Sequence, residues 1–296
     1  MNEVTILIST RNEEKNIGAS LSACLGQDYD KKMYKIMVID DCSTDRTGDI
    51  AAKYAGEHGG RVVHVRTESR IGYVKSINLG VSRCNTPFFI EMNADCMPQK
   101  NWLRLLMEGF DNKRIVVIKT TNLFEGASSA FRTEIVRKLG MFDERYNEMG
   151  SGFRHDTDMM FKILDAGYAI KRISGTGYEH RHPAPATTTG KIKYAISRVK
   201  IHRFDPLLYK NHPERTKEML DIRLGFVRNP VTDFRTATGL WHKGGRLDLS
   251  SPQGIKILEN RTSFHAVAII ALGICYVLAV KLARLYGSVK FGKLLI

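Results

Sequence analysis

Three short polar stretches interrupt the apolar N-terminal part of this chain, and each carries side chains suited to acid–base or cation chemistry. Asp40-Asp41 follows the apolar run Tyr34–Ile39 and precedes Ser43, Thr44 and Asp45. Asn93-Ala94-Asp95 follows Pro87–Met92, and Asp156-Thr157-Asp158 follows a stretch with glycines at 150 and 152. An apolar run that breaks into carboxylates is the pattern of a buried parallel strand whose carboxyl end opens into a crevice. Adjacent carboxylates at such a tip repel, so Asp40-Asp41 asks for a cation or hydrogen-bond donors nearby. Oxygen-bearing side chains at i and i+2, as in Asn93 and Asp95, suit a hard divalent cation. The plainer alternative is an Asx-type turn. Ser43, Thr44 and Asp45 have the chemistry of helix caps, and Asp156 stands where a helical pattern begins, as either a cap or a proton acceptor.

These residues need elements to hold them. From Val4 to about Lys119 apolar strands alternate with amphipathic helices. The spacing predicts strands at Val4–Ser9, Tyr34–Ile39, Arg61–Arg66, Pro87–Met92 and Ile115–Lys119. It predicts helices at Asn16–Leu25, Thr44–Glu57, Gly72–Arg83 and Gln99–Phe110. Repeated β-α units of this length mean a mostly parallel sheet flanked by helices. The pattern is less regular from Thr120 to His182, and from Gly190 onward the chain is basic and mostly helical.

The ordered set Ser9-Thr10-Arg11-Asn12-Glu13, Asp40-Asp41, Gly72…Asn78-x-Gly80, Asn93-Ala94-Asp95 and Arg154-His155-Asp156-Thr157-Asp158 resembles the family-2 inverting glycosyltransferases of the GT-A fold, over roughly Val4 to His182. The resemblance implies that Ser9, Arg11, Glu13 and Asp41 contact a nucleoside, with Asn12 either joining them or capping a loop. Arg70 faces the nucleotide or its phosphates, or else solvent, and Lys75 is a weaker candidate. Asn93 stands where the family usually has aspartate, leaving Asp95 as the main ligand of a Mg²⁺ or Mn²⁺ ion. His180, or less readily His182, is a further metal ligand by the same resemblance, against a surface histidine in a basic loop. The resemblance makes Asp156 the general base, and its neighbour His155 replaces a glutamate. Asp158 would support the helix N-terminus, and Arg132 would meet a phosphate of the acceptor.

Length and charge set the outer limits. The chain has 296 residues, is 43% hydrophobic and carries a formal charge of +14. That content fills a sizeable core, and the charge points to anionic partners. Cysteines 24, 42, 84, 96 and 275 form no CxxC pair or zinc spacing, and Met1 leads almost directly into an apolar strand. Reduced thiols and no signal peptide are therefore expected. Phe264 to Val280 is apolar apart from His265; as a helix it would reach roughly 25 Å, slightly short of a ~30 Å bilayer core. Lys281 and Arg284 would lengthen it by snorkelling. A membrane-spanning helix, a monotopic one or a buried core helix all fit. Upstream, Gly190–His202 mixes Lys191, Lys193, Arg198 and Lys200 with Ile192, Ile196, Val199 and Ile201, the composition of a helix on an anionic surface.

The resulting expectation has four parts: residues 1–119 as a nucleotide-sugar-binding half, 120–189 as an acceptor and catalytic half of the same domain, 190–262 as a basic membrane-proximal region, and 263–296 as a transmembrane or monotopic helix and tail. The implied enzyme is membrane-associated with its catalytic domain cytoplasmic. It would move a sugar from a nucleoside-diphosphate sugar to a hydroxyl or phosphate acceptor, plausibly lipid-linked. No Gln-x-x-Arg-Trp pattern occurs, so single-sugar addition is expected rather than polymerisation. The alternatives are a catalytically impaired nucleotide-sugar-binding protein, suggested by Asn93, or a sugar nucleotidyltransferase, although Ser9–Lys15 holds no glycine for a phosphate loop. A nucleic-acid partner is not expected, because no nucleic-acid motif accompanies the basic residues.

Overall fold

The computed structural model describes residues 2–120, 127–147, 153–181, 187–227 and 263–296. The chain divides into two compact units, residues 1–182 and 183–296.

The first unit is built on a seven-stranded sheet. In chain order its strands are β1 (Val4–Thr10), β2 (Tyr34–Asp40), β3 (Val62–Arg66), β4 (Phe88–Asn93), β6 (Ile115–Lys119), β7 (Ser129–Arg132) and β8 (Ala169–Arg172). Their spatial order is β3-β2-β1-β4-β7-β6-β8. All pairs are parallel except those of β7, which runs antiparallel to both β4 and β6. A short separate ribbon pairs β5 (Cys96–Pro98) with β9 (Tyr178–His180), bringing Cys96 opposite His180.

Every residue of β1 is buried, as expected for a central strand covered on both faces. Its Val4, Ile6 and Ile8 pack with Ile17 and Leu21 of α1 (Ile17–Leu25) and with Trp102 and Leu106 of α4 (Trp102–Glu108). Each such side chain contributes about 1.5–3 kcal/mol relative to exposure. The predicted strands and helices appear with ends moved by one to three residues, for example α2 at Thr47–Glu57 and α3 at Tyr73–Arg83. The motif residues Gly72 and Asn78 serve this architecture. Gly72 has φ +88°, and a Cβ there would meet Asn147 Oδ1 at 2.6 Å. Asn147 fills that space, accepting from the Val74 amide and donating to the Ile71 carbonyl, and so caps α3. Asn78 bridges both backbone polar groups of Phe142.

The second unit is helical: α7 (Thr188–Lys200), α8 (Asp205–Asn211), α9 (Pro213–Leu220) and a long α10 (Ser263–Phe291), with a small hairpin at residues 222–227. The predicted basic helix is α7, and none of its residues is buried. The apolar segment expected to form a transmembrane or monotopic helix is helical. It is the first part of α10, which runs on through Lys281, Arg284 and Lys290 and packs Val280, Arg284 and Ser288 into its own unit. Arg284 Nε lies 3.1 Å from Asp205 Oδ2, and Gly287 abuts the Arg203 carbonyl so closely that a Cβ would collide. Among the described residues no helix is long and apolar enough to cross a membrane. The same helix nevertheless exposes Ile274, Leu278, Leu282, Leu285 and Val289, spaced at three and four residues along one side.

Candidate active site

The carboxyl ends of β1, β2 and β4 lie side by side, because Ser9 is the register partner of both Ile39 and Asn93. The loops that leave β1 and β2 are fastened together. Arg11 Nη1 donates to the carbonyls of Asp41 and Cys42 at 2.5 and 2.7 Å. Asn12, with φ 54°, accepts from the Thr44 amide, and its own amide donates to Ser43 Oγ. The Glu13 amide donates to Thr47 Oγ1, and the Glu13 carboxylate accepts from Asn16.

The mutual repulsion expected of Asp40 and Asp41 is relieved by the protein itself. Asp40 is fully buried, 3.1 Å from Arg66 Nη1 and 3.7 Å from His64 Nε2, and accepts from the Ser43 amide. Burial alone would raise this carboxyl; the nearby His64 ring, hydrogen bonds from Ser43 and the Arg66 charge outweigh it and hold it below the usual range. Asp41 accepts from the amides of Ile71 and Gly72 at 2.6 and 3.0 Å, so its carboxylate shapes the loop between β3 and α3. Arg70 immediately precedes these amides, half-buried, with its Nε lacking a hydrogen-bond partner among the described residues.

At the end of β4 the arrangement differs. Asp95, one residue beyond β4's neighbour Ala94, is buried, and its Oδ2 lies 3.0 Å from His180 Nε2. Cys96 Sγ lies 3.7 Å from Asp95 Oδ1. Asp95, Cys96 and His180 thus turn three potential ligand atoms toward one point. Burial, with the Asp95 charge beside it, pushes the Cys96 thiol far up, and soft sulfur suits Mn²⁺ or Mg²⁺ less well than oxygen does. A carboxylate and an imidazole remain, a donor pair that fits Mn²⁺ or Mg²⁺ with other positions left for phosphate oxygens and water. Asn93 Oδ1 lies 2.9 Å from the Tyr73 hydroxyl, and its amide adds no charge.

Asp156 sits in the first turn of α6 (His155–Asp165), half-exposed, bonded to the Thr157 amide at 2.7 Å. Arg154, two residues earlier and in the left-handed region at φ 72°, takes the N-cap position of the helix. Burial raises the Tyr73 phenol well above its ordinary range, and the charges of Glu91 and Asp156 raise it further, with Cys96 also within reach. Tyr73 bonds Asn93 and its ring lies 5.4 Å from that of His155, the residue before Asp156, so the end of β4 and the start of α6 meet at one tyrosine. Asp158 is buried, 3.1 Å from Lys162 Nζ, and accepts from the Tyr146 hydroxyl at 3.2 Å.

Arg132 is a correction. It pairs with Phe88, at the start of β4, about 17 Å along the strand from Asn93. There it donates to the Ile115 carbonyl and packs over the rings of Phe88 and Phe110. Its guanidinium is occupied at the opposite end of the sheet and does not join the site. Lys75 is exposed on α3. Gly150, Gly152 and His182 lie outside the described residues. Sequence reasoning missed Glu91 and Tyr73. Glu91, fully buried on β4, bonds Tyr73 and His155; its signal was a lone carboxylate inside the apolar run Pro87–Met92.

Comparison with known proteins converges on one group. The family model described as glycosyl transferase family 2 matches residues 5–164. A dolichyl N-acetyl-α-D-glucosaminyl phosphate 3-β-D-2,3-diacetamido-2,3-dideoxy-β-D-glucuronosyltransferase from Methanococcus voltae is 33% identical over 110 residues, 37% of this chain and 34% of the relative. The probable glycosyltransferase YdaM from Bacillus subtilis is 24% identical over 208 residues, 57% of this chain and 48% of the relative. The chain thus spans about a third to a half of the length of these curated relatives. Among solved structures, the mannosyltransferase PcManGT from Pyrobaculum calidifontis, in complex with GDP-Man and Mn²⁺, superposes with a TM-score of 0.62 at 16% identity, covering 96% of this chain and 87% of that one. Residues 1–349 of TarS from S. aureus in complex with UDP give 0.53 at 15% identity, covering 98% and 92%. At these identities the likeness is one of fold, and the fold is GT-A-like.

Proposed function

The chain belongs to glycosyl transferase family 2, and from that premise we propose that it moves a sugar from a nucleoside-diphosphate sugar to a hydroxyl or phosphate acceptor, with inversion and one sugar at a time. The observation that carries this reading is the contact of Asp95 with His180 two residues beyond Asn93, which bonds the tyrosine that packs against His155, the residue before Asp156. Asp95 and His180 would hold a Mn²⁺ or Mg²⁺ ion, which supplies positive charge to the diphosphate as it leaves. Ser9 and Arg70 line the nucleoside side of the same crevice, whereas Arg11, Glu13 and Asp41 act on the nucleotide chiefly by fixing the loops that frame it. Asp156 takes the proton from the acceptor oxygen as that oxygen forms its bond to the anomeric carbon. The bond from that carbon to the diphosphate oxygen breaks on the opposite face. Asn93, neutral and tied to Tyr73, orients the turn without adding charge to the cation site.

The test is nucleotide release by purified full-length protein across a panel of nucleoside-diphosphate sugars, with and without Mn²⁺. Metal-dependent release that requires an acceptor supports the proposal; release unaffected by chelator removes the metal role. A lipid-linked acceptor is supported by the Methanococcus voltae relative, which is named for a dolichyl phosphate-linked substrate.

The second unit supplies the location, an anionic bilayer surface on the cytoplasmic side. The exposed side of α10 offers Ile274, Leu278, Leu282, Leu285 and Val289, and Ile192 and Ile196 are exposed on α7. Lys191, Lys193, Lys281 and Lys290 accompany them. A helix with one apolar side and basic neighbours lies in the interface rather than across it. Co-sedimentation with phosphatidylglycerol vesicles tests this. Binding that survives the double substitution Leu278→Glu and Leu282→Glu overturns it, as does equal binding to neutral phosphatidylcholine vesicles.

A further inference from the structure

One buried charge cluster has no part in the reaction as described. Glu91 is fully buried on β4 and its Oε1 lies 3.2 Å from His155 Nε2, itself buried. The Tyr73 hydroxyl lies 3.0 Å from the same oxygen and 2.9 Å from Asn93 Oδ1. The His155 ring is held between Tyr73 and Phe142, with centroids 5.4 and 5.7 Å away. Burial would raise the Glu91 carboxyl, but His155, Tyr73 and the charge of buried Lys119 outweigh that and keep it ionised.

The location matters more than the charge. Glu91 and Asn93 project from the same face of β4, two residues apart, and Asp95 follows on the next turn of chain. His155 is the first residue of α6 and is bonded in sequence to Asp156. A glutamate–imidazole contact is directional, whereas an apolar pair of the same volume would allow the strand and helix to slide against each other. Buried ion pairs are not generally more stabilising than such apolar replacements, so stability alone gives little reason for one here.

We propose that Glu91 and His155 are positioning residues that fix Asp156 relative to the Asn93–Asp95 turn, and hence the proton acceptor relative to the diphosphate. This rests on the reading of Asp156 as general base.

The experiment compares Glu91→Gln, His155→Gln and Asp156→Asn in the full-length protein, with donor affinity and kcat measured separately. Glu91→Gln keeps the size of the side chain and a bond to Tyr73 but loses the charge facing His155. The expected result is a fall in kcat of about 10- to 100-fold, the scale of a small misplacement of a reacting group, with donor affinity within about threefold of the parent. The exchanged pair Glu91→His with His155→Glu should recover part of the lost kcat, which loss of packing alone would not allow. Should Glu91→Gln fail to fold, as judged by its thermal transition, His155→Gln carries the same comparison. A folded variant with full kcat, beside an inactive Asp156→Asn, overturns the positioning role and leaves the base intact. An active Asp156→Asn overturns both.

Discussion

The ends of β2 and β4 are both acidic, yet their carboxylates do different work. At β2, Asp40 is enclosed by Arg66, His64 and the Ser43 amide, and Asp41 by the amides of Ile71 and Gly72. The side chains come from β3 and the amides from the loops, so these acids tie strand ends to the loops that leave them. Beyond β4, Asp95 meets an imidazole, itself a metal-ligand group, with the Cys96 thiol alongside. Proximity of acidic side chains is therefore a poor guide to a cation site: at β2 an arginine and backbone amides already answer the charge. The adjacent pair Asp40-Asp41 looks the more suggestive in sequence, and it is the pair that the fold uses most fully.

Substitutions sharpen this contrast, beginning with the largest effect. Asp156→Asn should lower the transfer rate by about 10²- to 10⁴-fold, the usual worth of a general base, while donor binding measured by titration stays near the parent value. His180→Ala should raise the Mn²⁺ concentration needed for half-maximal activity by at least about 10- to 100-fold, the range seen even for outer partners of metal ligands. A Mn²⁺ titration of activity and of donor binding reads it. Asp40→Asn should act on stability, costing about 1–3 kcal/mol through the partners it leaves buried, with kcat unchanged. Because the folded Asp40 carboxyl sits below its unfolded value, roughly 3.9, its contribution is complete above that pH and is lost as pH falls through the lower folded value. Urea unfolding at a series of pH values should show the gap between parent and variant closing only in that acid range. The smallest effect belongs to Arg132→Ala: about 1 kcal/mol of stability from the lost carbonyl and ring contacts, and no change in acceptor KM. A raised acceptor KM would restore Arg132 to the site.

The β-α alternation was legible because buried parallel strands read as apolar runs, and Tyr34–Ile39 or Ile115–Lys119 can be little else. The short antiparallel β7 was not legible. Ser129–Arg132 has only four residues, and its pairing with Phe88 depends on contacts distant in sequence. The family resemblance put Arg132 near the acceptor, whereas its register in β7 puts it at the far end of β4. Asp95 and His180 could be named from motif position, yet their closeness follows from the β5–β9 ribbon, which pairs strands of three residues each. Glu91 was readable in principle, since a carboxylate in a buried strand demands a partner; nothing in the sequence pointed to His155 as that partner.

The ribbon that brings Cys96 opposite His180 joins positions 85 apart along the polymer, counted from Asp95 to His180. A divalent ion gripping both would act as a removable staple on the intervening segment, shrinking the freedom of the unfolded chain much as a covalent bridge does. Loading with Mn²⁺ at 100 times its dissociation constant would add about 2.7 kcal/mol against unfolding. Thermal melting in the presence of chelator or metal would thus detect the cation without donor, acceptor or turnover.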